Sequence, residues 1–168
     1  MLFRSNFNKT HQYGPTVVIP SGADLNTLLA NMVYQKKPST KIIDKMLYKM
    51  SAKDVFDITK KRPEFISLFG VNNPEIEDKI TEYINNMNRE RKGAFTFHFI
   101  EDSKIRNLIS QTLKISDKEI YASDINDKDI LIIDDVISRG KTIKEAIDLI
   151  KKTFSPRTVT VLTLFSKL

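Results

Sequence analysis

Cysteine is absent from this chain of 168 residues, which carries a formal net charge of +6 and 40% hydrophobic residues. Without cysteine, neither a disulfide framework nor a thiolate metal site can form. The chain also lacks an apolar run long enough to cross a membrane, and residues 1–6 lack the apolar core of a signal peptide. We therefore expect a cytoplasmic protein without a membrane partner, long enough for one domain with a proper core.

The positive charge is concentrated in residues 36–62, which hold nine Lys or Arg against three Asp. The apolar residues at 42–50 indicate a helix, although residues 45–50 also fit a short strand. On a helix, lysines that recur every fourth position would share one face. These are Lys37, Lys41, Lys45, Lys49 and Lys53. That face is either a ridge for nucleic acid or phosphate or, as we favour, the solvated side of an amphipathic helix.

Residues 130–142 read I-L-I-I-D-D-V-I-S-R-G-K-T, and we call them the Asp-Asp motif. Its four leading apolar residues are typical of a strand buried on both faces. The strand runs into Asp134 and Asp135, and a small polar loop and an amphipathic helix follow. In open α/β sheets, ligands bind at such strand-to-helix junctions.

The loop of the Asp-Asp motif has the chemistry of a phosphate cradle. Gly140 permits a tight turn, Ser138 and Thr142 offer hydroxyl groups, and Arg139 and Lys141 offer positive charge. The amides and the dipole of the following helix add to this. The two carboxylates would repel phosphate, but they suit adjacent sugar hydroxyls or a hard cation such as Mg²⁺. Two carboxylates that bind adjacent sugar hydroxyls, next to a loop that binds phosphate, indicate a site for a ribose 5-phosphate moiety.

The end of the motif, Gly140-Lys141-Thr142, also looks like the end of a nucleotide-binding P-loop. A P-loop requires a glycine five residues before Gly140. Because Asp135 occupies that position, the P-loop is excluded.

The Asp-Asp motif resembles the phosphoribosyl-pyrophosphate (PRPP) binding motif of type I phosphoribosyltransferases at every position. The resemblance implies an α/β, Rossmann-like fold with a central, mainly parallel sheet flanked by helices. It implies that Asp134 and Asp135 are catalytic, hold the ribose and hold Mg²⁺ indirectly. It also implies that the 5-phosphate binds the loop residues Ser138, Arg139, Gly140, Lys141 and Thr142.

A second stretch resembles the pyrophosphate loop of this family. Residues 16–19 predict a buried strand and Asp24 begins a predicted helix. The loop between them contains Ser21, Gly22 and Ala23, whose amides would face pyrophosphate. Many family members carry a basic residue in this loop, and here there is none. A plain turn therefore stays an open alternative.

A third stretch resembles the mobile basic loop that closes over pyrophosphate in the family. Arg89, Arg91 and Lys92 precede residues 94–100, whose alternation predicts a strand. The alternative is a charged helix end, where cations favour the carbonyl pole.

The predicted elements suggest one domain, residues 1–168, with a helical insertion or lid at about 36–92. Residues 116–129 are expected to be a polar connection, and residues 158–165 a second buried strand. Over residues 16–34 and 94–168 the layout resembles ComF-like, amidophosphoribosyltransferase-related proteins. Their cysteine-rich zinc region has no counterpart here.

The resemblance implies a Mg²⁺-dependent phosphoribosyltransferase that transfers the phosphoribosyl group of PRPP to a nitrogen nucleophile and releases pyrophosphate. Ser138 stands where hypoxanthine-type relatives have an aspartate, which counts against a hypoxanthine or guanine acceptor. The alternative is a non-catalytic protein of the same fold that senses PRPP or binds nucleic acid. The acceptor and a homodimer stay open.

Overall fold

The computed structural model describes residues 16–19, 24–137 and 140–166. The chain forms two compact units: unit 1 combines Met1–Tyr48 with Ile115–Leu168, and unit 2 is Lys49–Lys114. The strands are β1 (Thr16–Val18), β2 (Lys41–Ile43), β3 (Leu47–Lys49), β4 (Leu113–Ile115), β5 (Asp129–Ile137) and β6 (Thr158–Ser166). The helices are α1 (Asp24–Lys36), α2 (Ala52–Lys60), α3 (Pro63–Phe69), α4 (Pro74–Arg91), α5 (Ser103–Leu108), α6 (Lys118–Ile125) and α7 (Lys141–Thr153), with a 3₁₀ helix at Phe97–Phe99.

Unit 1 is built on a four-stranded sheet in the order β2-β1-β5-β6, in which neighbouring strands are parallel. The central strands β1 and β5 are the apolar runs that the sequence predicts to be buried. Val17, Val18, Ile132 and Ile133 are all fully buried. The mixed α/β fold with a parallel central sheet flanked by helices is therefore confirmed.

Helices cover the sheet because its central strands are apolar on both faces. On one face, Leu29 and Ala30 of α1 share a core cluster with Val17 and Leu131. The β1-α1-β2 and β5-α7-β6 segments of this sheet run in opposite directions across it. Right-handed connections then place α1 and α7 on opposite faces.

Helix α1 turns a different face to the sheet from the one that its leucines predict. Its buried residues are Asn26, Leu29 and Ala30, whereas Leu28 is 55% exposed and Met32 is 51% exposed. The helical spacing predicts one inward stripe of Leu25, Leu28, Leu29, Met32 and Val33; Leu29 and Val33 do contact the core, whereas Leu28 and Met32 do not. A leucine-rich helix offers overlapping apolar stripes, and packing against β1 and β5 selects between them.

Unit 2 is helical, and its helix ends carry the local signals that predict them. The Ser51 hydroxyl accepts a hydrogen bond from the Asp54 N–H at 3.1 Å, which caps α2. Pro63 and Pro74 occupy the first turns of α3 and α4, where proline loses no helical hydrogen bond. The unit packs around Phe56, whose ring lies 6.3 Å from that of Tyr83 and 6.1 Å from that of Phe95.

Three predicted elements differ in the structure. The helix expected over residues 42–50 is wrong, because that segment forms β2 and β3. Residues 116–129 contain helix α6, whose only fully buried apolar residue is Ile125, too few for an apolar stripe. Strand β6 lies at the edge of the sheet, and residues 159–163 are only half-buried.

The strand predicted over residues 94–100 is also wrong. Ala94 makes an isolated bridge to Ser51, and Thr96 caps the 3₁₀ helix by accepting a hydrogen bond from the His98 N–H at 3.3 Å. Phe95 and Phe97 pack edge to face, with ring centroids 5.0 Å apart, in the core of unit 2. The alternating phenylalanines therefore belong to an irregular segment that packs into the core of a helical unit.

The bounds of the helical segment also differ from the expected 36–92. Strand β2 belongs to the sheet of unit 1, while residues 94–114 belong to unit 2. That unit 2 is an insertion into a single domain stays a prediction.

Candidate functional site

The strand order reverses between β1 and β5. From β1 the chain crosses to β2 on one side, and from β5 it crosses to β6 on the other. Because the two connections diverge, the carboxyl ends of β1 and β5 flank a crevice, which is the usual ligand site of open α/β sheets. The Asp-Asp motif runs from β5 into α7 at this edge of the sheet.

Asp134 lies beyond the end of β1 on the longer strand β5. Val18, the last residue of β1, pairs with Ile132, while β5 continues to Ile137. Asp134 is half-buried and shares a face of the strand with Ile132, because strand residues alternate between faces. The backbone of Asp135 continues β5, and its side chain lies outside the described structure.

Gly140 connects the loop of the Asp-Asp motif to α7. Its backbone is left-handed, with φ 67° and ψ 0°, and its carbonyl accepts a hydrogen bond from the Lys144 N–H at 2.8 Å. Within the described ranges no side chain caps this helix. Lys141 and Thr142, both half-buried, form the first turn. Together with the helix dipole, this turn is suited to an anion.

Five of the predicted ligand residues lie outside the described residues. They are Ser21, Gly22, Ala23, Ser138 and Arg139. Their positions in the chain connect β1 to α1 and β5 to α7.

The three cations expected in a basic loop belong instead to the end of a helix. Arg89 and Arg91 are in the last turn of α4, and Lys92 is its C-cap with a left-handed backbone, φ 51°. Arg89 donates a hydrogen bond to the Asn86 side chain at 2.9 Å. The prediction that these residues form a basic loop is therefore wrong, and the alternative of a charged helix end is confirmed. These residues lie in unit 2, whereas the Asp-Asp motif lies in unit 1.

The lysines spaced four apart do not form a ridge on one helix. Lys41 is in β2 and is paired with Asp124 at 2.6 Å; Lys49 is in β3; Lys53 is in α2 and is paired with Asp57 at 3.0 Å. The hydrogen bond with Asp57 raises the pKa of Lys53. The two interpretations of these lysines, a binding ridge and the solvated face of a helix, both require one continuous helix. Both are therefore wrong.

Two described residues near the crevice were missed by the sequence patterns. Thr163 of β6 is the register partner of Asp134. Asn26 is fully buried in the first turn of α1. A strand pairing cannot be read from one local pattern, and Asn26 interrupts an apolar stripe rather than marking one.

The described residues contain no group of three or more His, Cys, Asp or Glu side chains that could hold a metal ion. Mg²⁺ is commonly held by one or two carboxylates together with substrate phosphates and water. Asp134, half-buried at the strand end, fits that arrangement better than a site built wholly from protein ligands.

Comparison with known families gives a match over part of the chain. Residues 94–168 match the phosphoribosyl transferase domain. The match covers less than half of the chain and includes the Asp-Asp motif, α7 and β6. It supports the resemblance to type I phosphoribosyltransferases and phosphoribosyl transfer in general. A comparison with curated proteins gave no match.

Proposed function

We propose that this protein is a phosphoribosyltransferase that binds PRPP at the carboxyl ends of β1 and β5. The carrying observation is that the Asp-Asp motif leaves the sheet where its strand order reverses. The match of residues 94–168 to the phosphoribosyl transferase domain supports the same function. We also propose that its nearest relatives within this family are the ComF-like proteins, which its layout resembles.

The 5-phosphate binds the loop from Ser138 to Gly140 and the first turn of α7. Gly140 turns the backbone there, and the amides of the helix start point toward the anion. Lys141 and Thr142, in that turn, add a charge and a hydroxyl group. The dianionic phosphate is thus placed at the positive end of the helix dipole.

Asp134 and Asp135 accept hydrogen bonds from the two ribose hydroxyls. A nitrogen nucleophile forms a bond to the anomeric carbon while the bond from that carbon to pyrophosphate breaks. The nitrogen then releases a proton to solvent. Positive charge develops on the ribose during this exchange, and carboxylates beside the ring stabilise it.

Pyrophosphate leaves toward the loop of Ser21, Gly22 and Ala23, whose amides stabilise its charge. Mg²⁺, held indirectly by Asp134 and Asp135, would neutralise the leaving group.

The test is a calorimetric titration of PRPP with and without Mg²⁺, followed by assays of pyrophosphate release. We expect wild-type protein to bind PRPP and an Asp134→Asn/Asp135→Asn variant to lose binding. Asp148→Asn is the matched control, since Asp148 is exposed on α7. Absence of PRPP binding by the wild type would refute the proposal.

Pyrophosphate release across a panel of nitrogenous bases and amines then separates enzyme from sensor. Release with one acceptor identifies the reaction. Binding without release from any acceptor favours the alternative of a PRPP sensor. The nucleic-acid form of that alternative loses the support of a lysine ridge, because the five lysines are spread over β2, β3, α2 and two connecting segments.

A further inference from the structure

Strands β5 and β6 begin with a cross-strand pair of an aspartate and a threonine. Asp129 and Thr158 are register partners, and the Thr158 hydroxyl donates a hydrogen bond to the Asp129 carboxylate at 2.8 Å. The carboxylate is buried and is also bound by the Arg157 guanidinium at 2.9 Å. The register of these two strands thus brings a threonine hydroxyl onto a carboxylate.

The same pair recurs at the other end of the two strands. The register continues through Ile132 with Val161 and Ile133 with Leu162 to Asp134 with Thr163. Neighbouring strands lie about 4.8 Å apart, and register partners in a parallel pair point to the same face. The Thr163 hydroxyl and the Asp134 carboxylate are therefore side by side, and both residues are half-buried.

We propose that Thr163 is a positioning residue whose hydroxyl donates a hydrogen bond to the Asp134 carboxylate and orients it toward the ribose hydroxyls of PRPP. The inference rests on the proposed function and adds a residue that the Asp-Asp motif does not contain. An ionised carboxylate has about four acceptor sites. Thr163 occupies one of them, and the others remain for the ribose hydroxyls and for water on Mg²⁺.

The pair at the amino end of the strands shows why Thr163 would orient Asp134 without blocking it. Asp129 is held by Arg157 as well as by Thr158, which suits a structural carboxylate. A neutral hydroxyl fixes the direction of a carboxylate but leaves its charge for a ligand. Asp134, at the ligand end of the same strands, has such a neutral neighbour in register.

The test compares Thr163→Val, which keeps the side-chain shape but removes the hydroxyl, with Thr163→Ser, which keeps the hydroxyl. Thr160→Val is the matched control, since Thr160 is also half-buried on β6 but pairs with Leu131. PRPP affinity is measured by calorimetry with Mg²⁺. We expect Thr163→Val to bind about tenfold more weakly, and Thr163→Ser and Thr160→Val to bind like the wild type.

A second measurement does not depend on PRPP. In the free protein, the side-chain carboxyl ¹³C resonance of Asp134 should move in Thr163→Val and stay in place in Thr160→Val. An unmoved resonance in Thr163→Val, or wild-type PRPP affinity in that variant, would overturn the inference. If the wild type fails to bind PRPP, the proposed function and the positioning role of Thr163 for PRPP both fall, while the resonance still decides whether the hydrogen bond exists.

Discussion

Gly140 is the residue at which the backbone turns from the loop after β5 into α7. Its φ of 67° lies in the left-handed region, which a side chain makes unfavourable for most residues. The direction in which the first turn of α7 presents its amides depends on this conformation. Gly140 therefore connects the stability of the turn with the proposed phosphate site.

Gly140→Ala should lower the free energy of unfolding by about 1–2 kcal/mol and also weaken PRPP binding. Gly140→Asn is the control, since asparagine visits the left-handed region more readily. Chemical denaturation and calorimetry measure the two effects. Equal stability of the alanine and asparagine variants would contradict the conformational role of Gly140.

Asp129 is a buried carboxylate at the opposite end of β5 from the site. Its side chain is 5% exposed, while that of its partner Arg157 is 57% exposed. The hydrogen bond and charge of Asp129 raise the pKa of Arg157. The pair joins the starts of β5 and β6 and so supports the register that carries Asp134 and Thr163.

Arg157→Met should lower the free energy of unfolding by about 2 kcal/mol, because a buried carboxylate loses its charged partner. Lys152→Met, which changes an exposed lysine on α7, is the control and should cost little. Urea denaturation of the two variants gives the comparison. Equal losses would show that the Asp129 pair does not stabilise the fold.

At the scale of elements, the sequence predicts those whose signals are local. The apolar run of β5, the amphipathic helix after the Asp-Asp motif, the Ser51 cap of α2 and the proline in the first turn of α4 are each local signals, and all four elements form. Residues 45–50 fit both a helical and a strand period, and they form β3, which pairs with the distant strand β4. The phenylalanines at 95–99 alternate like a strand, but they follow an irregular path in which Phe95 is buried in the core of unit 2 and Phe97 and Phe99 pack against it.

Ser51 tests whether such a local signal has energetic weight. Ser51→Ala removes the acceptor for the Asp54 N–H and should lower the free energy of unfolding by about 1 kcal/mol. Ser51→Asp keeps an acceptor at the cap and should stay within a few tenths of the wild type. Thermal and urea denaturation measure both. A neutral alanine variant would show that α2 does not depend on this cap.

Across the chain, the structure describes some of the residues proposed to bind PRPP and not others. Four residues of the proposed ligand set have described side chains or backbone in unit 1: Asp134, Gly140, Lys141 and Thr142. Sequence motifs identify these residues because phosphate and ribose recognition needs fixed residue types in a short span. The strand order that places them at a crevice, and the threonine in register with Asp134, come from the fold of distant segments.

The division into two units predicts separate local stabilities. Phe56→Ala removes a fully buried ring from the core of unit 2 and should destabilise that unit by about 3–5 kcal/mol. Amide hydrogen exchange should then accelerate in α2 and α4 but not in β1 and β5. Leu68→Ala, which changes a side chain 49% exposed, is the control. Equal acceleration in all four elements would mean that the chain unfolds as one unit.

The most direct test of the proposed ribose-phosphate site is an amide NMR titration with PRPP and Mg²⁺. We expect the largest chemical-shift changes at Asp134 and at Gly140, Lys141 and Thr142, and we expect Asp134→Asn to abolish them. Unit 2 contains a cavity of about 350 Å³ lined in part by Lys60, Lys61 and Asn72. Shifts centred on that cavity, with the Asp-Asp motif unmoved, would contradict the placement of the site.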